Sequence, residues 1–243
     1  MKAGATAALL ILTVALAGPG CGGEGSETTS SPGRATTPTV APPPAVRPQR
    51  RVLIAALGDS ITAGSPLWDP DAAVQRRILE LNPQSQFEFW ARRRLGPNAV
   101  FRNCGVFGET TRQIAARFDR CAQGAQVLIV QGGINDVYRP IKVEQSAANL
   151  RQMVQRGKAA GLRVALTDVL PWNNGYPRFA DKIKRLNVLI AGVAREEGVD
   201  LLPFHATLED PDNPGRMRPE WTIDGDHPSV IGYRRLGEVV ELP

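Results

Sequence analysis

The sequence predicts an α/β fold in which a five-stranded parallel sheet carries helices on both faces. Two observations lead there. Short apolar runs alternate with longer segments of helical period along the whole of 51–243, a pattern that gives parallel sheets. The first run, Val52-Leu53-Ile54-Ala55-Ala56-Leu57, is continuously apolar, as a strand covered on both faces must be.

That run leads into Gly58-Asp59-Ser60-Ile61-Thr62. Gly58 is expected to supply backbone angles that other residues resist. Ser60 then lies just past the carboxyl end of the first strand, where open α/β sheets place their chemistry. Taken alone, a serine in such a turn is a hydrogen-bonding turn residue. An irregular stretch, Ala63 to Ala72, follows as a rim, and helical patterns run near Ala73 to Leu81 and Phe87 to Leu95. The second strand is Ala99 to Asn103, followed by Cys104-Gly105. Thr110 or Thr111 caps a helix whose apolar face is Ile114, Phe118 and Cys121.

The third strand, Gln126 to Gln131, ends in Gly132-Gly133-Ile134-Asn135-Asp136. A long helix with Val143, Ala147, Leu150 and Val154 on one face ends at Gly161. The fourth strand is Arg163 to Val169, and a turn-rich loop from Leu170 to Gly175 follows it. The stripe Phe179, Ile183, Leu186, Ile190 and Val193 reads as the core face of a helix ended by Gly198. Val199 to Pro203 is a fifth short strand, and Pro-rich loops occupy His205 to Pro219. A last helix begins near Ser229 and carries Ile231, Leu236 and Val240. There is no internal repeat.

Of the 243 residues, 42% are hydrophobic and 22% charged, ordinary values for a globular chain. The first fifty residues differ. Met1-Lys2 and the Ala- and Leu-rich stretch to Ala17 have the layout of a secretory signal peptide, too short to span a bilayer, which takes about 20 residues. Two processing sites compete within a 1–21 signal segment. Ala15-Leu16-Ala17 is an A-x-A cleavage site, and Cys21-Gly22-Gly23 resembles the lipidated cysteine of a bacterial lipoprotein, although Gly18 stands where that motif has Leu. Residues 22–50 are rich in Gly, Ser, Thr and Pro and bury no core; they are a tether or a plain spacer. The folding unit is 51–243, enough for one domain with a sizeable core.

Of 29 basic and 24 acidic residues, Lys2, Arg34, Arg47, Arg50, Glu24 and Glu27 precede that unit, leaving 25 and 22, or +3. So mild an excess gives no argument for a nucleic-acid partner. Cys104 and Cys121 remain in the folding unit, either as a disulfide of an exported protein or as two buried thiols. With two histidines, no Cys-x-x-Cys, no Gly-x-Gly-x-x-Gly and no P-loop, no metal or cofactor is expected.

Acyl transfer by serine needs a nucleophile, a base, a group to orient the base and donors for the oxyanion. Four stretches supply them: Gly58-Asp59-Ser60, Asn103-Cys104-Gly105, Gly133-Ile134-Asn135-Asp136 and Asp224-Gly225-Asp226-His227. In content and order they resemble the four blocks of the SGNH (GDSL-type) hydrolase family, a likeness that covers 51–243. The resemblance implies a flavodoxin-like three-layer α/β/α sandwich and an ester-cleaving enzyme. By position it implies that Ser60 is the nucleophile, that His227 is the base and that Asp224 orients it through the family's Asp-x-x-His spacing. It also implies an oxyanion hole made of the Ser60 and Gly105 N–H groups and the Asn135 side chain, with Gly105 bare to admit substrate. Ile61 departs from the family's usual Leu.

The residues also have plainer readings. Asn135 and Asp136 are of the types that cap a following helix, Asp226 is a minor candidate for the orienting role, Asp59 holds the turn, and His205 is a loop or rim residue. Trp68, Trp172 and Trp221 line a pocket or simply pack. A free histidine titrates near about 6.5, so His227 suits a base at neutral pH. The expected substrate is a small-molecule, glycan or lipid ester. Carbohydrate O-acetyl esterase and lysophospholipase- or thioesterase-like activities are the alternatives within the class. A non-catalytic binding protein on the same scaffold is the alternative outside it.

Overall fold

The structure is a computed structural model that describes residues 50–242. The signal segment, Cys21 and the linker to position 49 lie outside the described residues. Five strands, β1 (Val52–Gly58), β2 (Ala99–Gly105), β3 (Val127–Val130), β4 (Arg163–Thr167) and β5 (Asp200–Leu202), form one all-parallel sheet. Their order is β2-β1-β3-β4-β5. This flavodoxin-like order reverses direction between β1 and β3, so a crevice opens there at the carboxyl edge. Ser60 follows β1 and Asn135 follows β3.

The alternation along β1 sorts the two layers. Ala55 and Leu57 face a core built with α4 (Thr111–Ala116), α5 (Phe118–Ala122), α7 (Val143–Ala159) and α8 (Ala180–Glu197). Ile54 and Ala56 face the other, built with α1 (Ser60–Ala63), α3 (Phe87–Leu95), α9 (Phe204–Leu208) and α10 (Val230–Glu238). Two short helices, α2 (Ala72–Gln75) and α6 (Ile134–Tyr138), lie in the loops after β1 and β3. The helices α3 and α10 cross closely because position 237 is glycine. A Cβ there would lie 2.7 Å from the Phe87 carbonyl oxygen.

Several sequence expectations need correction. The pattern over 73–81 yields only the four residues of α2, capped by Asp71. Leu79 is fully exposed and Leu81 and Val74 are also exposed, so that stripe has no surface to bury against, and a short isolated helix is unstable in water. The Ile114-Phe118-Cys121 face is cut at Arg117 into α4 and α5, with Thr110 as the cap. The loops assigned to 205–219 begin with α9. In the last helix Ile231 is exposed and Tyr233 occupies the core, its hydroxyl donating to the Ser65 carbonyl at 3.2 Å.

Cys104 and Cys121 are joined, with Cα atoms 6.0 Å apart. The bond ties the end of edge strand β2 to α5. It closes a loop of sequence separation 17, for which chain entropy gives about 3 kcal/mol of stabilisation. Replacing both cysteines by serine should lower stability by about that amount in urea denaturation. An unchanged midpoint would show that the bond contributes nothing.

Candidate active site

The site is assembled where β1, β2 and β3 end. Ser60 is the first residue of α1, so its N–H has no carbonyl of its own helix to bond. Asp59 caps the helix, its Oδ1 accepting the Ile61 N–H at 3.0 Å. Two glycines let α1 settle on the sheet. At Gly58 the φ angle is not positive, which corrects the sequence reading. The constraint there is space, since a Cβ would strike the Thr62 hydroxyl and Gln131 Oε1. At Gly105 a Cβ would collide with the backbone of Thr62 and Ala63. Gly105 is therefore bare to admit α1, the helix that carries Ser60.

Polar side chains from the flanking strands hold α1 down. Gln131, at the end of β3, accepts the Asp59 N–H at 3.1 Å and the Thr62 hydroxyl at 2.9 Å. From β2, Asn103 Nδ2 donates to the Thr62 carbonyl at 2.7 Å, while its Oδ1 accepts the Gly105 N–H at 2.9 Å. Arg117 spans the ends of both strands, donating to the Cys104 carbonyl at 2.7 Å and the Gly58 carbonyl at 3.0 Å, and pairs with Glu109 at 2.6 Å. The sequence reading assigned no role to Gln131, Asn103 or Arg117. Their signal is tertiary, because the bonds from Gln131 and Asn103 to α1 join positions 40 to 72 residues apart.

The loop before α10 brings the histidine. His227 Nε2 lies 3.1 Å from Ser60 Oγ, and its Nδ1 lies 2.7 Å from Asp224 Oδ2. Asp224 Oδ1 also accepts the backbone N–H of His227 at 2.7 Å and of Asp226 at 2.9 Å. With a carboxylate at Nδ1, the ring proton belongs there and the Nε2 lone pair faces the serine hydroxyl. Burial raises the Asp224 pKa, but bonds from the His227 ring and N–H and from the Asp226 N–H outweigh it, leaving the carboxyl below its ordinary value. Asp226 turns away from His227, accepting the Trp172 indole N–H at 2.5 Å and Asn174 Nδ2 at 2.8 Å. It is not the residue that touches the imidazole.

Asn135 sits in α6, which starts from Gly133 at φ 123. One of its amide hydrogens goes to the Glu109 carbonyl at 3.0 Å, and a primary amide has two. Asp136 does not cap α6. It reaches α4 instead, accepting the Thr111 N–H at 2.8 Å and hydroxyl at 2.6 Å and the Ser146 hydroxyl at 3.0 Å. His205 lies in α9, its Nδ1 2.8 Å from the Val169 carbonyl and its N–H on Asp168 at 2.6 Å. It contributes to packing at the end of β4.

Phe107 is 65% exposed and its ring centroid lies 5.9 Å from that of His227. The same residue lines a groove of about 860 Å³ with Pro70, Val74, Gly105, Val106 and Arg120. A second groove, of about 510 Å³, lies between α7 and α8 and includes none of these site residues. Among the described residues no cluster of three or more His, Cys, Asp or Glu is placed to hold a metal ion.

Asp59 is fully buried, and its Oδ2 has no hydrogen-bond partner among the described residues. Burial pushes its pKa up to about 6 from 3.8, against the bonds from Ile61 and Gln131. A carboxyl with a raised folded-state pKa costs nothing below about pH 4, where folded and unfolded chains both keep the proton. The cost grows up to about pH 6 and is full above it, up to about 3 kcal/mol. Asp59→Asn should therefore show a smaller stability loss between pH 4 and 7.5 in urea denaturation than the native protein. An equal loss in both would contradict the assignment.

The model of the GDSL-like Lipase/Acylhydrolase family matches residues 56–235. Esterase TesA of Pseudomonas aeruginosa is 28% identical over 141 residues, which are 57% of this chain and 66% of that protein. The chain thus spans just under two thirds of that relative. Among solved structures, a G-D-S-L family lipolytic protein of Desulfitobacterium hafniense superposes with a TM-score of 0.64 at 21% identity, covering 78% of this chain and 97% of that one. An acetyl-xylooligosaccharide esterase of Geobacillus gives 0.60 at 19% identity, covering 78% and 92%. These likenesses concern the fold. The family match spans most of the chain and takes in Ser60, Gly105, Asn135, Asp224 and His227. The chain belongs to the GDSL-like lipase/acylhydrolase family.

Proposed function

We propose that the protein is an exported serine hydrolase that cleaves carboxylic esters through an acyl-enzyme on Ser60. The observation that carries this reading is the unbroken hydrogen-bond chain Asp224–His227–Ser60, at 2.7 and 3.1 Å. Ser60 Oγ attacks the ester carbonyl carbon as its proton passes to His227 Nε2. The resulting imidazolium is stabilised by Asp224. The oxyanion is held by the Ser60 N–H and the second N–H of the Asn135 amide. The Gly105 N–H joins them by sharing its bond to Asn103 Oδ1. Collapse expels the alcohol, which takes the proton from Nε2. Water then attacks the acyl-enzyme, its proton passing through His227 back to Ser60 Oγ, and the acid leaves. The groove beside Phe107 is the proposed seat of the substrate.

A full set of nucleophile, base and orienting acid supports an enzyme over a binding protein. Esterase TesA is a named esterase and the Geobacillus neighbour a named acetyl-xylooligosaccharide esterase, which supports ester bonds as the target. Export is supported by the N-terminal signal pattern and by the Cys104–Cys121 bond, since disulfides persist in oxidising compartments. If Cys21 is lipidated, Cys21→Ser should move the protein from the membrane to the soluble fraction of the producing cell. Equal partitioning would leave A-x-A cleavage as the processing route.

The purified protein should hydrolyse members of a p-nitrophenyl ester series from acetyl to lauroyl, and Ser60→Ala should not. The preferred chain length decides between acetyl-ester and lipid-like substrates. Asn135→Ala should lose roughly a hundred- to a thousandfold in turnover. A serine-reactive phosphonate should label Ser60; labelling at another residue would refute the mechanism.

A further inference from the structure

We infer that Trp172 is a positioning residue: its indole N–H, through Asp226, holds the loop that carries Asp224 and His227. The inference rests on the proposed function and adds a residue to it.

The loop from Thr222 to Pro228 is short and its internal bonds are local. The Thr222 hydroxyl donates to the His227 carbonyl at 2.8 Å and accepts the Gly225 N–H at 2.9 Å. Ile223 N–H closes the turn on the same His227 carbonyl at 3.0 Å. These bonds shape the loop without fixing it against the sheet. That docking comes from the turn after β4. The Trp172 indole and the Asn174 amide both bond Asp226 Oδ1, and the same Asn174 Nδ2 lies 2.9 Å from the Asp224 carbonyl. The N–H groups of Asn173 and Asn174 both point at the Gly225 carbonyl, at 3.1 and 3.3 Å. A Cβ at Gly225, whose φ is +85, would lie 2.6 Å from Asn174 Oδ1, so the Asn174 side chain packs directly on the Gly225 backbone.

Trp172 is itself held fast. Its ring stacks on Phe179 at 5.2 Å and 14° and meets Tyr138 edge-on at 6.0 Å. Its other neighbour is Gly175, where a Cβ would press into the indole. Tyr138 is three residues beyond Asn135 on α6. One indole therefore contacts the helix of the proposed oxyanion donor and, through a charge-assisted bond, the loop of the base. It sets the separation of the two groups that act on one carbonyl. Misplacing a reacting group by about an ångström costs on the order of a hundredfold in rate.

The test compares Trp172→Phe, Asp226→Ala and Asp226→Asn in the full chain. Phenylalanine keeps the stack on Phe179 and loses the N–H. Asparagine keeps an oxygen that can accept both donors. On the best p-nitrophenyl ester, Trp172→Phe and Asp226→Ala should each lower kcat roughly ten- to a hundredfold with KM held within about twofold. Asp226→Asn should stay within about threefold of the native rate, and the Trp172→Phe/Asp226→Ala pair should be no worse than the poorer single variant. The low-field proton resonance of the His227 Nδ1–H···Asp224 bond should be sharp in the native protein and broadened in Trp172→Phe. This readout needs no turnover. A native protein without esterase activity but with this spectral difference would sink the proposed function and keep the positioning role. Native turnover with kcat and resonance unchanged in both variants would overturn the positioning role. So would a raised KM at constant kcat, which makes Trp172 a substrate contact. Should Trp172→Phe fail to fold, Asp226→Ala, which alters a half-buried side chain only, decides the outcome.

Discussion

The close seating of α1 on the ends of β1 and β2 is the constraint on which the site depends. A four-residue helix has almost no stability of its own, so it exists here because its surroundings define it. Bare glycines at 58 and 105 let its backbone approach. Gln131 and Asn103 then bond both its first turn and its carbonyl end. With the helix pinned from strands on either side, Ser60 is presented in one position, which suits its proposed role because a nucleophile gains from being held before substrate arrives.

His227, the proposed base, is presented by different means. No strand or helix interior carries His227; it stands in a loop just before α10, and loops are the mobile parts of a fold. Rigidity is supplied in two steps. Asp224 accepts three bonds from within its own turn and from the imidazole, which fixes the ring relative to the loop. Contacts with the Trp172–Gly175 turn then fix the loop relative to the sheet. The result is a pair of supports, one for Ser60 and one for His227, that meet at the 3.1 Å contact between Ser60 Oγ and His227 Nε2.

The layer beneath α1 carries an electrostatic cost. Asp59 is buried with an unpartnered oxygen, and Glu88 on α3 is buried with both oxygens unpartnered among the described residues. Burial drives both carboxyls upward in pKa, Glu88 well above its ordinary value. Buried carboxyls of this kind persist where the surrounding packing is strong enough to hold them. Here the α3–α10 contact, closed over Gly237 and around Tyr233 and Phe87, supplies that packing.

The sequence by itself determined the alternation of strand and helix, the five strands and the four motif segments that the sheet gathers at its carboxyl edge. It could do so because strand and helix periods, glycine stops and short motifs are local properties of the chain. The pairing of Asp224 with His227 is implied by the resemblance to the family's Asp-x-x-His spacing, and the tight turn brings the two side chains to 2.7 Å. Only the tertiary structure decided the rest. It turned Asp226 toward Trp172, joined Cys104 to Cys121 and assigned Asp136 to another helix. It left the 73–81 stripe without a surface and chose Tyr233 over Ile231 for the core. It also gave Gly105 its reason for being bare. Each of these depends on which surfaces meet after folding, and contacts between residues far apart in the chain leave no periodic trace in it.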